Sequence, residues 1–258
     1  MDYSFDHHVH CGQYEKLYFQ PAFVIQALHD NGVKRVWLSS TTSNIRWRNG
    51  KEKKQLIEHV EAEIKEALEA GCKYDVEVYP LYWVIPQRHY EGETVTDVMR
   101  NFPYKGFKIH PRMADWDNKK ADNMSLFHEI CEYANNNSVP ILIHTGVDYI
   151  DLPERFEKFF SYYPSVSFVL AHCRKTGSII RLFSQYNNVF GDCALCNDSS
   201  FRTIYRAGYY NRMYFGTDFP ISYWFETNHT NNRTITYDEL FGHYQRLITS
   251  VSKKSLVG

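Results

Sequence analysis

Eight short runs of β-prone, apolar residues recur along the chain, and each is followed by a stretch with helical spacing. The runs fall at 3–10, 34–39, 75–84, 106–110, 139–144, 166–172, 188–194 and 213–217; the helical patterns fall at 21–31, 52–70, 94–101, 124–136, 154–162, 176–184, 199–207 and 237–251. Pro21 opens the first helix and Asn31-Gly32 is its expected stop. In the 52–70 helix, Leu56, Val60, Ile64, Ala67 and Leu68 share one stripe, and Gly71 is the expected terminator. Such alternation predicts an α/β protein, either a closed (β/α)8 TIM barrel or an open doubly wound sheet. No glycine-rich phosphate loop follows the first run, which counts against the nucleotide-binding form of the open sheet. No linker or charge block divides the chain. Residues 1–258 are therefore expected to form a single domain, close to the roughly 250 residues usual for one such barrel.

Charge narrows the partners. A formal net charge of −1 gives no basic patch to offset phosphates, so neither nucleic acid nor a membrane surface is expected as a partner. No apolar run approaches the roughly 18 residues of a membrane helix. Residues 1–6 lack the basic start and apolar core of a secretory signal, and the six cysteines are spread along the chain. Reduced thiols and a cytoplasmic location are the expectation. A small-molecule substrate is the expected partner, with a homodimer as the candidate assembly.

Histidine is where the sequence becomes specific. Of twelve histidines, six (His7, His8, His10, His110, His144 and His172) lie at or beside the C-terminal ends of the expected strands. In a barrel that end carries the active site, because the βα-loops converge there. His29, His59, His89, His128, His229 and His243 lie in helices or loops and read as ordinary polar residues. His8 and His10 are two apart on a strand, so they project to one face and can share an ion. A strand can also carry two histidines for packing; what adds weight is that other strand ends carry His144, His172 and Asp218. In a closed barrel the eighth strand neighbours the first, which would set Asp218 beside the pair.

The ordered set D-x-H-x-H (from Asp6), K-I-H-P (from Lys108), L-I-H-T-G (from Leu142), L-A-H-C (from Leu170) and G-T-D-F-P (from Gly216) resembles the amidohydrolase superfamily. It is most similar to the metal-dependent hydrolase and decarboxylase branch that includes the aminocarboxymuconate-semialdehyde decarboxylases, and it runs from Asp6 to Pro220. The resemblance implies a (β/α)8 barrel with a divalent ion, usually Zn2+, at the C-terminal mouth. It implies His8, His10, His144 and Asp218 as metal ligands, with Asp218 also able to take a proton from water. His172 matches the histidine of the sixth strand, either hydrogen-bonding a developing oxyanion or binding the ion. The residue types fit: a divalent cation lowers the pKa of its water from about 15.7 to about 7. Hydrolysis of a small acidic ester, amide or lactone is the expected reaction, with non-oxidative decarboxylation as the alternative. A phosphoesterase or a non-catalytic binding barrel fits less of the pattern.

Four further residues are candidates for substrate binding. Lys108 and His110 share a strand face. Lys108 would contact an anionic substrate, form an ion pair inside the mouth, or, if carboxylated, bridge two metals; one ion is favoured over two. Arg46 and Arg112 follow the second and fourth strands, and their guanidinium groups suit a carboxylate, although solvated surface loops would carry the same residues. Tyr79, Tyr82 and Trp83 could line a pocket or simply pack. Cys193 and Cys196 have the spacing of a redox or zinc pair, but no second such pair accompanies them. Asp192, just before them, is open to either a substrate contact or a structural role.

Overall fold

A computed structural model describes residues 1–221 except 47, 115 and 117–119, together with 238, 239, 242, 243, 245 and 246. The expected last helix, 237–251, lies largely outside the described residues, as do His229 and Trp47. The chain opens with a long strand, β1 (Phe5–Tyr14), which turns back into the short antiparallel β2 (Leu17–Phe19). Helix α1 (Pro21–Asp30) leads to β3 (Arg35–Ser40), and α2 (Gly50–Tyr74) to β4 (Glu77–Pro80) and β5 (Tyr82–Trp83). Helices α3 (Pro86–Tyr90) and α4 (Val95–Asn101) precede β6 (Phe107–Ile109), and α5 (Ala121–Asn137) precedes β7 (Ile141–His144). Then follow α6 (Glu157–Tyr162), β8 (Phe168–Ala171), α7 (Thr176–Gln185), β9 (Val189–Asp192), α8 (Asp198–Arg206) and β10 (Met213–Tyr214).

The strands form two ladders, ordered β2-β1-β3-β4 and β10-β9-β8-β7-β6-β5, parallel throughout except for the β1–β2 hairpin. Isolated hydrogen bonds join the ladders at both edges. On one side Leu81 N–H donates to Leu38 C=O at 2.7 Å, while Tyr82 N–H donates to Gly106 C=O at 2.9 Å. Strands β4 and β5 thus share one position, broken after Pro80, which has no N–H to continue the ladder. On the other side His7 N–H donates to Phe215 C=O at 2.9 Å and His10 N–H to Phe219 C=O at 2.8 Å, so the stretch after β10 lies along β1. The eight strand positions therefore run round a (β/α)8 barrel with two seams.

Side-chain alternation separates two cores. Ile141, Ile143, Phe168 and Leu170 pack outward against the helices, while Leu142, Val169 and Ala171 point inward with Leu81. The inward row of β7 therefore ends in His144, and that of β1 carries His8 and His10 around an outward Val9.

Some element limits differ from the sequence expectation for local reasons. The 52–70 helix does not stop at Gly71. It runs to Tyr74, and Asp75 caps it in the left-handed region at φ 56°. Gly71 serves close packing instead, since a Cβ there would lie 2.6 Å from the Val76 carbonyl oxygen. The 154–162 helix begins as a 3-10 turn at Pro153–Phe156. Both β2 and α3 are additions to the expected series. No helix among the described residues is long and apolar enough to cross a membrane.

Candidate metal centre

His8 and His10 arrive together because β1 holds them on one inward face, and a register shift between Asp6 and Val9 adjusts that face. The shift lets the adjacent His7 and His8 both turn inward. His7 falls on the barrel floor, stacked 4.5 Å from Tyr214 and 3.9 Å from Phe5, with burial depressing its pKa to about 4. It is a packing residue at the strand's inner end.

Asp218 follows from the opposite seam. Its N–H donates to His8 C=O at 2.7 Å, and its backbone is held at φ 59°, in the left-handed region that costs a non-glycine residue energy. Asp6 fixes that turn. Its Oδ1 accepts from Thr217 N–H and from His8 N–H, both at 3.1 Å, and its Oδ2 accepts from the Thr217 hydroxyl at 2.7 Å. Asp218 Oδ1 then lies 3.0 Å from His10 Nε2 and 3.4 Å from His8 Nε2. His8, His10 and Asp218 can each offer a ligand atom within 4.8 Å of the others.

The tautomers can be followed outward from this point. His8 Nδ1 lies 2.8 Å from Asp192 Oδ2 and donates to it, which leaves Nε2 with a lone pair facing Asp218. Two acceptors facing each other favour a donor or a cation beside them, and Lys108 Nζ lies 2.8 Å from His8 Nε2. The donor set, imidazole nitrogen and carboxylate oxygen in a buried pocket, thus fits a divalent metal ion. His10 Nδ1 is held by Ser39, 2.9 Å from the hydroxyl and 3.3 Å from the carbonyl.

His144 and His172 make a second pair. His172 Nδ1 donates to Ala194 C=O at 2.9 Å, so its Nε2 accepts from His144 Nδ1, also at 2.9 Å. His144 is left with a lone pair on Nε2. Both ring nitrogens of His172 are therefore engaged, and burial depresses its pKa to about 3. In this arrangement His172 has no proton to offer an oxyanion; it orients His144. Burial also holds His8, His110 and His144 well below the usual histidine range, keeping the imidazoles neutral. It brings Lys108 down to about 8. Burial opposes the charge on Asp218, but the hydrogen bond from His10 Nε2, 3.0 Å from Oδ1, favours it, and the carboxyl is held low.

The four expected substrate contacts separate. Lys108 and His110 line a cavity of about 300 Å³ with His8, His10, His144 and Asp218. His110 is stacked between His144, at 3.8 Å, and Trp83, at 5.6 Å. Arg112 lines the same cavity, but Asp148 and Asp151 already match its charge, Asp151 Oδ2 lying 2.8 Å from its guanidinium. It clamps the loop after β7 and is not poised for a substrate anion. Arg46 lines an adjoining cavity instead. Of the aromatic candidates, Trp83 reaches the site cavity, whereas Tyr82 packs against Tyr104 and Phe107. Cys193 and Cys196 are buried free thiols whose pKa values burial raises, that of Cys196 to about 12, which gives them no reactive thiolate.

Two buried aspartates whose roles the sequence left open, Asp192 and Asp6, organise this arrangement. Asp192 holds His8 through Oδ2 and the backbone N–H groups of His172 and Ala194 through Oδ1, at 2.9 and 3.1 Å. Its position at the inward end of β9 was the available signal. Asp6, at the start of the D-x-H-x-H run, was readable only as part of that motif.

Three comparisons bear on this arrangement. The model of a family described as amidohydrolase matches residues 5–223. No curated protein matches the chain. Among solved structures, the chain is similar to a phosphotriesterase homology protein from Escherichia coli complexed with phosphate. That match has a TM-score of 0.62 and 15% identity, over 97% of this chain and 93% of that one. It is also similar to an uncharacterized TIM-barrel protein from Bordetella bronchiseptica, with TM-score 0.55 and 12% identity over 96% and 99% of the two chains. A third likeness is to 5-carboxyvanillate decarboxylase from Novosphingobium aromaticivorans, complexed with manganese and a nitrobenzoic acid. Its TM-score is 0.52, with 15% identity over 77% and 70%. At these identities the structural matches speak to the fold.

Proposed function

Since the chain belongs to the amidohydrolase family, we propose that it is a metal-dependent hydrolase acting on a small acidic ester, amide or lactone. The observation that carries this reading is the convergence of His8 Nε2, His10 Nε2 and Asp218 Oδ1 at the mouth of the barrel. His8, His10 and Asp218 would hold one divalent ion, with the Nε2 lone pair of His144 as the fourth donor. Nitrogen-rich ligation with a single carboxylate favours Zn2+. When bound, such an ion supplies Lewis acidity, polarising an oxygen and making water acidic near neutral pH.

The remaining steps belong to the chain. Asp218, ionised in its buried setting, accepts a proton from the attacking water through the oxygen not shared with His8 and His10, and passes it to the leaving group. His172 fixes the tautomer of His144, and Asp192 fixes that of His8, so both keep Nε2 bare. Lys108, near the centre of the mouth, attracts an anionic substrate. Trp83 and His110 form one wall against which a flat group can lie.

Elemental analysis of the purified protein, followed by a screen of carboxylated esters, amides and lactones, tests the reading. About one ion per chain and release of the free acid without carbon dioxide are expected. Carbon dioxide release from a carboxylated aromatic would establish decarboxylation in its place. A protein that takes up no divalent ion would overturn both.

A further inference from the structure

Among the described residues, two arginines line the metal-centre cavity, Arg112 and Arg174. Arg112 is matched by Asp148 and Asp151. Arg174, half-buried in the loop after β8, is engaged by no hydrogen bond or ion pair among the described residues. The carboxylates lining the same cavity are committed elsewhere, Asp148 and Asp151 to Arg112 and Asp218 to His8 and His10. The loop is not short of acidic neighbours, because the adjacent Lys175 pairs with Glu154 at 3.1 Å. Arg174 is simply not among the cations they hold.

The backbone before Arg174 is unusual. His172 and Cys173 both have positive φ, 70° and 44°, a region that costs a non-glycine residue energy and that concentrates at functional sites. Asp192 Oδ1 holds this turn by accepting from His172 N–H at 2.9 Å, and His172 Nδ1 donates to Ala194 C=O. The turn ends β8 and sets Arg174 at the mouth. Its positive charge opposes protonation of His8, His144 and His172, so the guanidinium stands within electrostatic reach of the centre. A guanidinium on a cavity wall without a counter-charge suits an incoming anion, and its planar fork fits both oxygens of a carboxylate. Its single charge is matched by a carboxylate and exceeded by a phosphate dianion.

We propose that Arg174 is a specificity-determining residue, which binds the carboxylate of the acidic substrate through two parallel hydrogen bonds. The reacting ester, amide or lactone group then lies at His8, His10 and Asp218. Lys108, against His8 Nε2, adds charge at the centre; Arg174 adds direction at its edge. This assignment rests on reading that cavity as the substrate site.

Calorimetric titration of the zinc-loaded protein with the straight-chain diacids from malonate to adipate, each beside its monoamide, tests it. The wild type binds the best-fitting diacid at least about tenfold more tightly than its monoamide, the worth of a hydrogen-bonded charge. Arg174→Gln removes that preference, Arg174→Lys keeps part of it, and zinc content is the same in all three proteins. No measurable binding of any diacid, equal affinity for acid and amide in the wild type, or a preference that survives Arg174→Gln overturns the assignment. Tighter, Arg174-dependent binding of a phosphonate-ended analogue of the best diacid overturns the carboxylate class. Arg174-dependent binding of the diacid that zinc does not strengthen upholds Arg174 and refutes the metal-centre reading.

Discussion

Asp192 Oδ2 accepts a hydrogen bond from His8 Nδ1 at 2.8 Å, and this contact across the barrel decides which nitrogen of His8 faces Asp218 in the candidate metal centre. Asp192 Oδ1 meanwhile accepts two backbone N–H groups. An asparagine there cannot satisfy both sides. Its oxygen would stay with the two backbone donors, and its NH2 would face His8 Nδ1, shifting the ring proton to Nε2. Asp192→Asn is therefore expected to weaken metal binding about 10–100-fold, as losses of ligand-orienting carboxylates do. Competition against a chromophoric chelator measures this. Unchanged affinity would show that the contact does not set the His8 tautomer.

Lys108 puts its ammonium against the same His8 Nε2 that a metal ion would use. If it serves as a charge in the mouth and does not bridge two ions, Lys108→Ala keeps the stoichiometry of the wild type, about one ion per chain. Its metal affinity is equal or higher, since a competing cation is gone. Metal content near two that falls by one in the variant would instead make Lys108 a ligand.

Much of this was legible in the sequence, and the part that was not has a physical cause. The repeat of apolar runs and helical stripes declares a (β/α)8 chain because strand and helix periods differ locally. That His8, His10 and Asp218 would come together was readable because strand ends are where a barrel gathers its side chains. The role of Asp192, left open in the sequence, was hidden because its partner lies 184 residues away and depends on the stagger of β9 against β1. The β1–β2 hairpin was hidden for a smaller reason. Its turn uses Glu15 at φ 52°, where a glycine or asparagine would have announced it. The engagement of Arg112 by Asp148 and Asp151 likewise depends on how two loops meet.

Asp218 is asked to do two things, hold an ion and accept a proton, and Asp218→Asn separates them. The amide keeps an oxygen that can face His10 but has no basic site. Turnover on an identified substrate is expected to fall by about 10²–10⁴-fold, the usual worth of a positioned base. Metal content measured on the same sample shows how much of the loss is ligation. Full turnover in a metal-replete variant would remove the proton-transfer role.

Gly71 offers a test of packing far from the site. Within a helix, Gly→Ala normally stabilises by about 1 kcal/mol. Here the added Cβ would sit 2.6 Å from the Val76 carbonyl oxygen and 2.8 Å from Val78 Cγ2. The first of these is backbone, fixed by the Val76 N–H bond to Gly71 C=O at 3.0 Å, so it cannot swing aside as a side chain would. Overpacking of this kind costs about 1–3 kcal/mol, which outweighs the helical gain. Gly71→Ala is expected to lower the thermal midpoint while metal content stays unchanged. A higher midpoint would mean that the end of α2 can move away from β4 more easily than this contact allows.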